Sequence, residues 1–596
     1  MTSHLRDQAA IRTRTRCVRG LSRVLAVALA GMAGCADSGV DPVVDALAFS
    51  TATIQLDVGL SGRLLLSNDG SRTVGPIELR TSEIRRDGGS GLTGRHLRLT
   101  PTEVPTLAPG TTFEVTLEVV GTGTLIAGQF KATVTAHLSG QQLATTDVTF
   151  QVDAGDPGLV AGLQISMTTD PMRQGEVRPA AAISTGMDGT RLDGFEPEWS
   201  TLPLDAGVVV DGTFVAYRSG EVRVIGRVGN ASDTVTLQVT PRGVSGEFTQ
   251  LSSGVELARH SSDLWVHGDY AYVGTWGSRA GVEGVLNGNT LYTWNITGPY
   301  PGRTAGLSID ARTVNDVKIR ADGEIGVITH EGSNDGLNGF TLLNLRIPSQ
   351  PIPIQRFTEG MSPGVHNVWI EGDYLYVVLD GAGGLKIVDI STPTNPVVVW
   401  SFYAGTSFLH DVMVRDGFAF LSHWDAGLIV FDVGNGIAGG SPTAPVEVSR
   451  IQTLGGNTHN AWYWPEGGYV FVGQEDFGAP GYLHVVDFKD PTRPREVANF
   501  VVPGQTPHNF WMDEDTETLF AAWYGQGLRA LDVSGELLGD LAAQGREMGS
   551  IQYNGGAGVC GRQTLTCTWA PQLHSDGRLY VSDQNNGLVV LRWTRN

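Results

Sequence analysis

The chain has 596 residues and a net charge of −21, from 41 Lys and Arg against 62 Asp and Glu; that length accommodates several domains of ~100–200 residues each. With 41% hydrophobic and 17% charged residues it is no disordered polyampholyte, and its 79 glycines without a three-residue period exclude collagen and suit a turn-rich all-β protein. The acidic balance argues against nucleic acid as a partner.

Arg6, Arg12, Arg14, Arg16, Arg19 and Arg23 precede a short apolar run, Val24 to Gly34. The run is too short to span a ~30 Å hydrocarbon core as a helix, which makes it a signal peptide rather than a membrane anchor. It ends Met32-Ala33-Gly34-Cys35, which resembles a bacterial lipoprotein signal. The resemblance implies cleavage before Cys35 and acylation of its thiol, with 1–34 as leader, 35–43 as tether and a lipid anchor in the membrane. Ala36 after the cysteine points to the outer membrane or cell surface, placing the protein in the bacterial cell envelope. Cys17 leaves with the leader. Cys560 and Cys567 remain, and in an exported protein that pair favours a local disulfide over two free thiols or a zinc pair.

Residues 44–153 alternate apolar and polar side chains in short runs: Thr53 to Val58, Arg63 to Leu66, Phe113 to Val119 and Gln129 to Ala136. Asn68-Asp69-Gly70 and Pro109-Gly110 are turn signals between them. This spacing predicts a β-sandwich and resembles Ig-like modules of bacterial surface proteins. Ala154 to Gly158 reads as a linker. Residues 159–241 come next, with Glu198-Trp199-Ser200, Asp211-Gly212-Thr213, Ser219-Gly220-Glu221-Val222 and a closing strand, Asp233 to Thr240. That order resembles bacterial Ig-like domains of the invasin/intimin type. Both modules are expected to be spacers without a chemical site.

Beyond residue 245 the composition changes: 12 of 13 Trp and 13 of 14 Tyr lie there. Residues 246–596 contain a two-part repeat. Its first part is His-Asn or His-Asp entering an aromatic strand: His366-Asn367, His410-Asp411, His459-Asn460 and His508-Asn509. Its second is Gly-Leu-x-x-x-Asp, as in Gly384 to Asp389, Gly427 to Asp432 and Gly527 to Asp532. The starting histidines fall at 366, 410, 459, 508 and 574, in steps of 44, 49, 49 and 66. Each step is one four-stranded unit. Degenerate copies begin near Asp263 and Asn315, and a strand near Gly246 to Glu256 is placed to complete the last unit. Gly384 to Ser391 with Pro393 and Pro396, and Asp487 to Pro491 with Pro494, resemble the LVIVD-repeat family. The copies total seven, and the resemblance implies a β-propeller and little about chemistry.

Three readings of the His-Asn/Asp pairs stay open. They are structural hydrogen-bonding groups at each blade entrance. Alternatively His366, His410, His459, His508 and His574, with Asn315 and Asp263, converge at the channel mouth and hold a transition metal. In the third reading the same residues form a metal-free polar pocket for a small ligand or a partner's loop. Trp369, Trp462 and Trp511 stand three positions after their histidines, and strand alternation places them on the opposite side, in inter-blade core. No G-x-S-x-G elbow, phosphate loop, dinucleotide fingerprint or H-E-x-x-H motif occurs.

The expectation is an all-β chain of two Ig-like β-sandwiches followed by a seven-bladed β-propeller. It is a lipid-anchored envelope protein presenting the propeller to an unidentified protein, glycan or small-molecule ligand. No catalytic residue and no cofactor is assigned. The alternative is a metal-dependent propeller enzyme with a channel-mouth His site.

Overall fold

The computed structural model describes residues 46–596 except 58–60, 83, 87–90, 93–96, 120–127, 153–156, 158–159, 190, 193, 279–286, 363, 382–383, 404, 406–407, 479 and 555–564. The leader, the tether, Cys35 and Cys560 lie outside the described residues. Among the described residues every regular element but one isolated 3₁₀ position is a strand, turn or bridge.

Two sheets share one core in residues 46–152. One has the strand order 47–49, 61–68, 112–119, 97–100; the other runs 53–57, 141–152, 128–138, 77–81, 103–104. Period-two alternation directs Leu64, Leu66, Val115 and Leu117 inward from the first sheet, against Leu79, Val134, Val148 and Phe150 of the second. Residues 160–241 form a second unit of three small sheets around Phe214, Val222, Val224, Leu237 and Val239. Buried guanidinium groups join this unit tightly to the C-terminal region. Arg242 donates from Nε to Asp532 Oδ2 at 2.6 Å, with both side chains buried. Arg546, also buried, donates to the carbonyl of Gly175 at 3.0 Å.

Among the described residues the C-terminal region has seven sheets, antiparallel except where the short strand Gly539–Asp540 pairs parallel with Arg495–Val501. Their first strands are 259–267, 317–319, 365–371, 411–415, 458–464, 510–513 and 568–573, and each sheet runs outward from that strand. The last sheet takes its fourth strand from the start of the region: Gly246–Gly254 pairs antiparallel with Gly587–Arg595. An apolar cluster fills each gap between successive sheets. The gap between last and first is filled by Leu264, Val273, Trp294, Trp569, Tyr580 and Val590. The circuit of sheets is therefore closed, the start of the region completing its last sheet.

The repeated Gly and Asp of the second motif have structural causes. A Cβ on Gly427 would meet the carbonyl oxygen of Ile451 at 2.3 Å, and one on Gly527 that of Ile551 at 1.9 Å. Both glycines also have positive φ, so close approach and backbone conformation each require Gly. The Asp accepts from the amide two residues on, as Asp389 does from Ser391 at 2.8 Å and Asp487 from Lys489 at 3.1 Å. This is the Asx turn that starts the crossing to the fourth strand.

Candidate functional site

The first strands bring three tiers of side chains to the axis. The outer tier contains Asn315, His366, His410, His459, His508 and Trp569. Consecutive rings nearly touch: centroids are 4.5 Å apart for His366 and His410, 4.1 Å for His410 and His459, 4.4 Å for His459 and His508, and 4.0 Å for His508 and Trp569. Ser262 takes the equivalent place in the first sheet and donates to the carbonyl of Val314 at 2.6 Å. Asp263 lies one residue further in.

Three of the four imidazoles are oriented by a neighbour. His410 Nδ1 lies 3.0 Å from the carbonyl of His459, and His508 Nδ1 lies 2.8 Å from that of Trp569. His366 Nδ1 lies 3.0 Å from Glu331 Oε1. Carbonyls and carboxylates only accept, so these three rings carry their proton on Nδ1. The Nε2 atoms of His366 and His410 meet at 3.0 Å. Neither nitrogen of His459 has a hydrogen-bond partner, and its Nε2 is 3.9 Å from Glu475 Oε1. A nitrogen of His410, one of His459 and a carboxylate oxygen of Glu475 all lie within 4.8 Å of one another. Tyr524 donates its hydroxyl to Glu475.

Burial and the surrounding imidazoles depress His410 well below the ordinary histidine value, burial chiefly does the same to His508, and burial also lowers His459. These three are neutral at pH 7. Burial also opposes charge on His366, but the Glu331 hydrogen bond and charge outweigh it and raise that ring. Trp424 and Tyr524 close over the mouth, 5.5 Å from His410 and 5.0 Å from His508. Both have positive φ, 29° and 41°. Bulky residues there carry backbone strain of roughly 1–3 kcal/mol.

The middle tier is polar: Asp263, Asp316, Asn367, Asp411, Asn460 and Asn509. Lys318 reaches up to it, 2.9 Å from Asp263 Oδ2 and bonded to Asp316. Burial pushes Asp411 up to about 7. The inner tier is aromatic, with Trp265, Trp369, Trp462 and Trp511 lining one cavity together with Lys318 and Gln572. Trp462 and Trp511 are 4.9 Å apart, and Trp265 sits edge-on to Trp369 at 6.0 Å.

Two sequence expectations are corrected here. Trp369, Trp462 and Trp511 do pack against the clusters between sheets, but they also line the channel. A β-bulge explains this: register shifts between Val365 and Asn367, and between Thr458 and Asn460. The extra residue lets His366 and Trp369 face the same way while Val368 and Ile370 enter the core. His574 is not at the mouth. Its amide donates to Arg578 across the first turn of the last sheet, and its ring lies against Tyr580. Residues 533–546, which add the short strand Gly539–Asp540 to the neighbouring sheet, and the segment before Thr568 lengthen this step, so Trp569 occupies the imidazole position. The structure brings together His366, His410, His459, His508, Asn315 and Asp263.

Sequence reasoning missed Glu331, Trp424, Glu475 and Tyr524. Each is the first residue after the second strand of its sheet or stands one beyond it. Aligning the copies on that position would have found all four.

The LVIVD repeat family matches residues 258–278, 364–403, 409–453, 459–502 and 575–591. No curated protein matches the chain. Among solved structures, the C-terminal WD40 domain of Sif2 is similar, with 12% identity and a TM-score of 0.38 over 63% of this chain and 90% of that one. The C-terminal region thus carries LVIVD repeats on a closed, propeller-like circuit of sheets.

Proposed function

We propose that the chain is an exported, lipid-anchored envelope protein whose C-terminal seven-bladed β-propeller binds a small polar ligand in its axial channel. Residues 44–153 and 159–241 serve as Ig-like spacers, Cys35 carries the lipid, and Cys560 and Cys567 close a disulfide loop. One observation carries the binding role: the first strands converge a tryptophan-lined cavity and a tier of amides and carboxylates on one axis. Aromatic faces beside a few convergent polar groups are the usual lining of a small-ligand site. The cavity holds about 60 Å³, so it takes the apolar face and edge hydroxyls at one end of a ring, the rest of which stays outside.

A panel of mono- and oligosaccharides, titrated against the mature chain by tryptophan fluorescence, tests this reading. Saturable binding that weakens at least tenfold in Trp462→Ala supports it. Absence of binding across the panel, or affinity unchanged in that variant, overturns it. The alternative is a metal-dependent enzyme, favoured by the grouping of His410, His459 and Glu475.

A further inference from the structure

We propose that the channel mouth is a metal site, in which His410, His459 and Glu475 hold one divalent first-row transition-metal ion beside His366. The inference rests on the axial channel being the binding site and names a second occupant for its outer end.

The argument begins with proton positions. His366 and His410 both spend their Nδ1–H outward, on Glu331 and on the carbonyl of His459. Their Nε2 atoms then face each other at 3.0 Å, with Asn315 Nδ2 standing 3.4 Å from that of His366. Two lone pairs at that distance repel unless a cation stands between them, either a proton or a metal ion. Ligands on a tetrahedral ion at ~2.0–2.1 Å are themselves only slightly further apart than this. His459 adds a buried ring with neither nitrogen partnered, an arrangement that otherwise costs about 1–3 kcal/mol. Glu475 adds an anionic oxygen.

The surroundings match those of ligating histidines. A carboxylate or carbonyl on the far ring nitrogen fixes the tautomer and raises the basicity of the ligating one. Glu331 does this for His366 and the His459 carbonyl does it for His410. Phe408, Trp424 and Tyr524 form an aromatic rim around the donors. Imidazole with one carboxylate suits zinc, copper or iron over magnesium or calcium.

The test uses the mature chain, stripped of metal and titrated with Co²⁺ and Zn²⁺. We expect one equivalent of Co²⁺ with a visible d–d band and at least two imidazole nitrogens by X-ray absorption of the Zn²⁺ form. His459→Ala and Glu475→Gln should each weaken binding at least tenfold. Glu331→Gln should weaken it ten- to a hundredfold, and His574→Ala should leave it unchanged. Near-UV circular dichroism reports folding, and His459→Gln replaces any variant that fails to fold. No stoichiometric ion, fewer than two imidazoles in the first coordination sphere, or full binding by the double variant His410→Ala/His459→Ala overturns the proposal. Saccharide binding by the metal-free chain is read in parallel. Saccharide binding without metal overturns only this inference, whereas metal binding without saccharide overturns only the ligand reading.

Discussion

His410 donates its Nδ1–H to the carbonyl oxygen of His459, one sheet further round the circuit, at 3.0 Å. The same link recurs elsewhere. Asn315 donates to the carbonyl of His366 at 2.8 Å, and His508 to that of Trp569 at 2.8 Å. The outer tier therefore bolts neighbouring sheets together besides forming the mouth. Metal-free His508→Ala removes one of two donors to the Trp569 carbonyl, which keeps the Asn509 amide at 3.2 Å, and should cost about 0.5–1.5 kcal/mol, read as a shift in the urea midpoint at constant slope. An unchanged midpoint would show that the link carries no stability.

Asp432 is the repeat's Asp in its most developed form. It is buried, and it accepts from the amides of Gly434, Gly436, Ala438 and Gly440 at 2.8–3.1 Å. Burial opposes its charge, but those amides outweigh the opposition and hold the carboxyl down to about 2. Asp432→Ala would orphan four donors and release the loop between Asp432 and Val446. The expected cost is about 2–4 kcal/mol, with new proteolytic cleavage in that loop. Asp432→Asn keeps one good acceptor and should lose about half as much. Equal stability of the two variants would refute this account.

How far the sequence spoke depends on what each residue had to do. Most sheets use the Gly that lets the third strand pass the fourth and an Asp or Asn that starts the crossing, so both recur and the circuit could be counted from the text. The bulge at His366 has no such mark. It is one extra residue, and a one-residue slip moves every later side chain to the other face. That slip hid the tryptophan cavity. Glu331 and Glu475 were hidden differently. They come from second strands, and only the pairing of strands brings them beside His366 and His459. His574 shows the opposite hazard: it has the right residue type, but the longer step before it carries it past the inner strand to a turn.

The joint between the second unit and the sheets rests on two buried guanidinium groups. Arg242 meets Asp532, while Arg546 donates to the carbonyls of Gly175, Asp532, Ser534 and Glu536. Arg242→Ala would strand the Asp532 carboxylate, although Arg595 still donates to it at 3.0 Å. A loss of about 2–4 kcal/mol is expected, somewhat below that of an unassisted buried pair. Arg546→Ala removes the donor to Gly175 as well and should loosen the joint, seen as a larger radius of gyration by small-angle scattering. A wild-type scattering profile for both variants would refute the role of these side chains.

His330 supplies a pH dependence independent of the mouth. It ends the second strand of its sheet, is fully buried, and has no partner on Nδ1. Its Nε2 lies 3.4 Å from Thr341 Oγ1. Burial lowers its pKa to about 4, against ~6.5 in an unfolded chain. Above pH 6.5 both states are neutral, and His330 adds no slope. Between 6.5 and 4 the unfolded chain binds a proton that the folded chain refuses, so stability falls as the pH drops through that window. The full loss is about 3 kcal/mol, from 1.36 kcal/mol per unit. His330→Leu abolishes this term. Its urea midpoint, compared with wild type at pH 7.5 and 4.5, should gain on wild type at the lower pH by about 2–3 kcal/mol. Parallel curves for the two proteins would mean that His330 is protonated inside the fold after all.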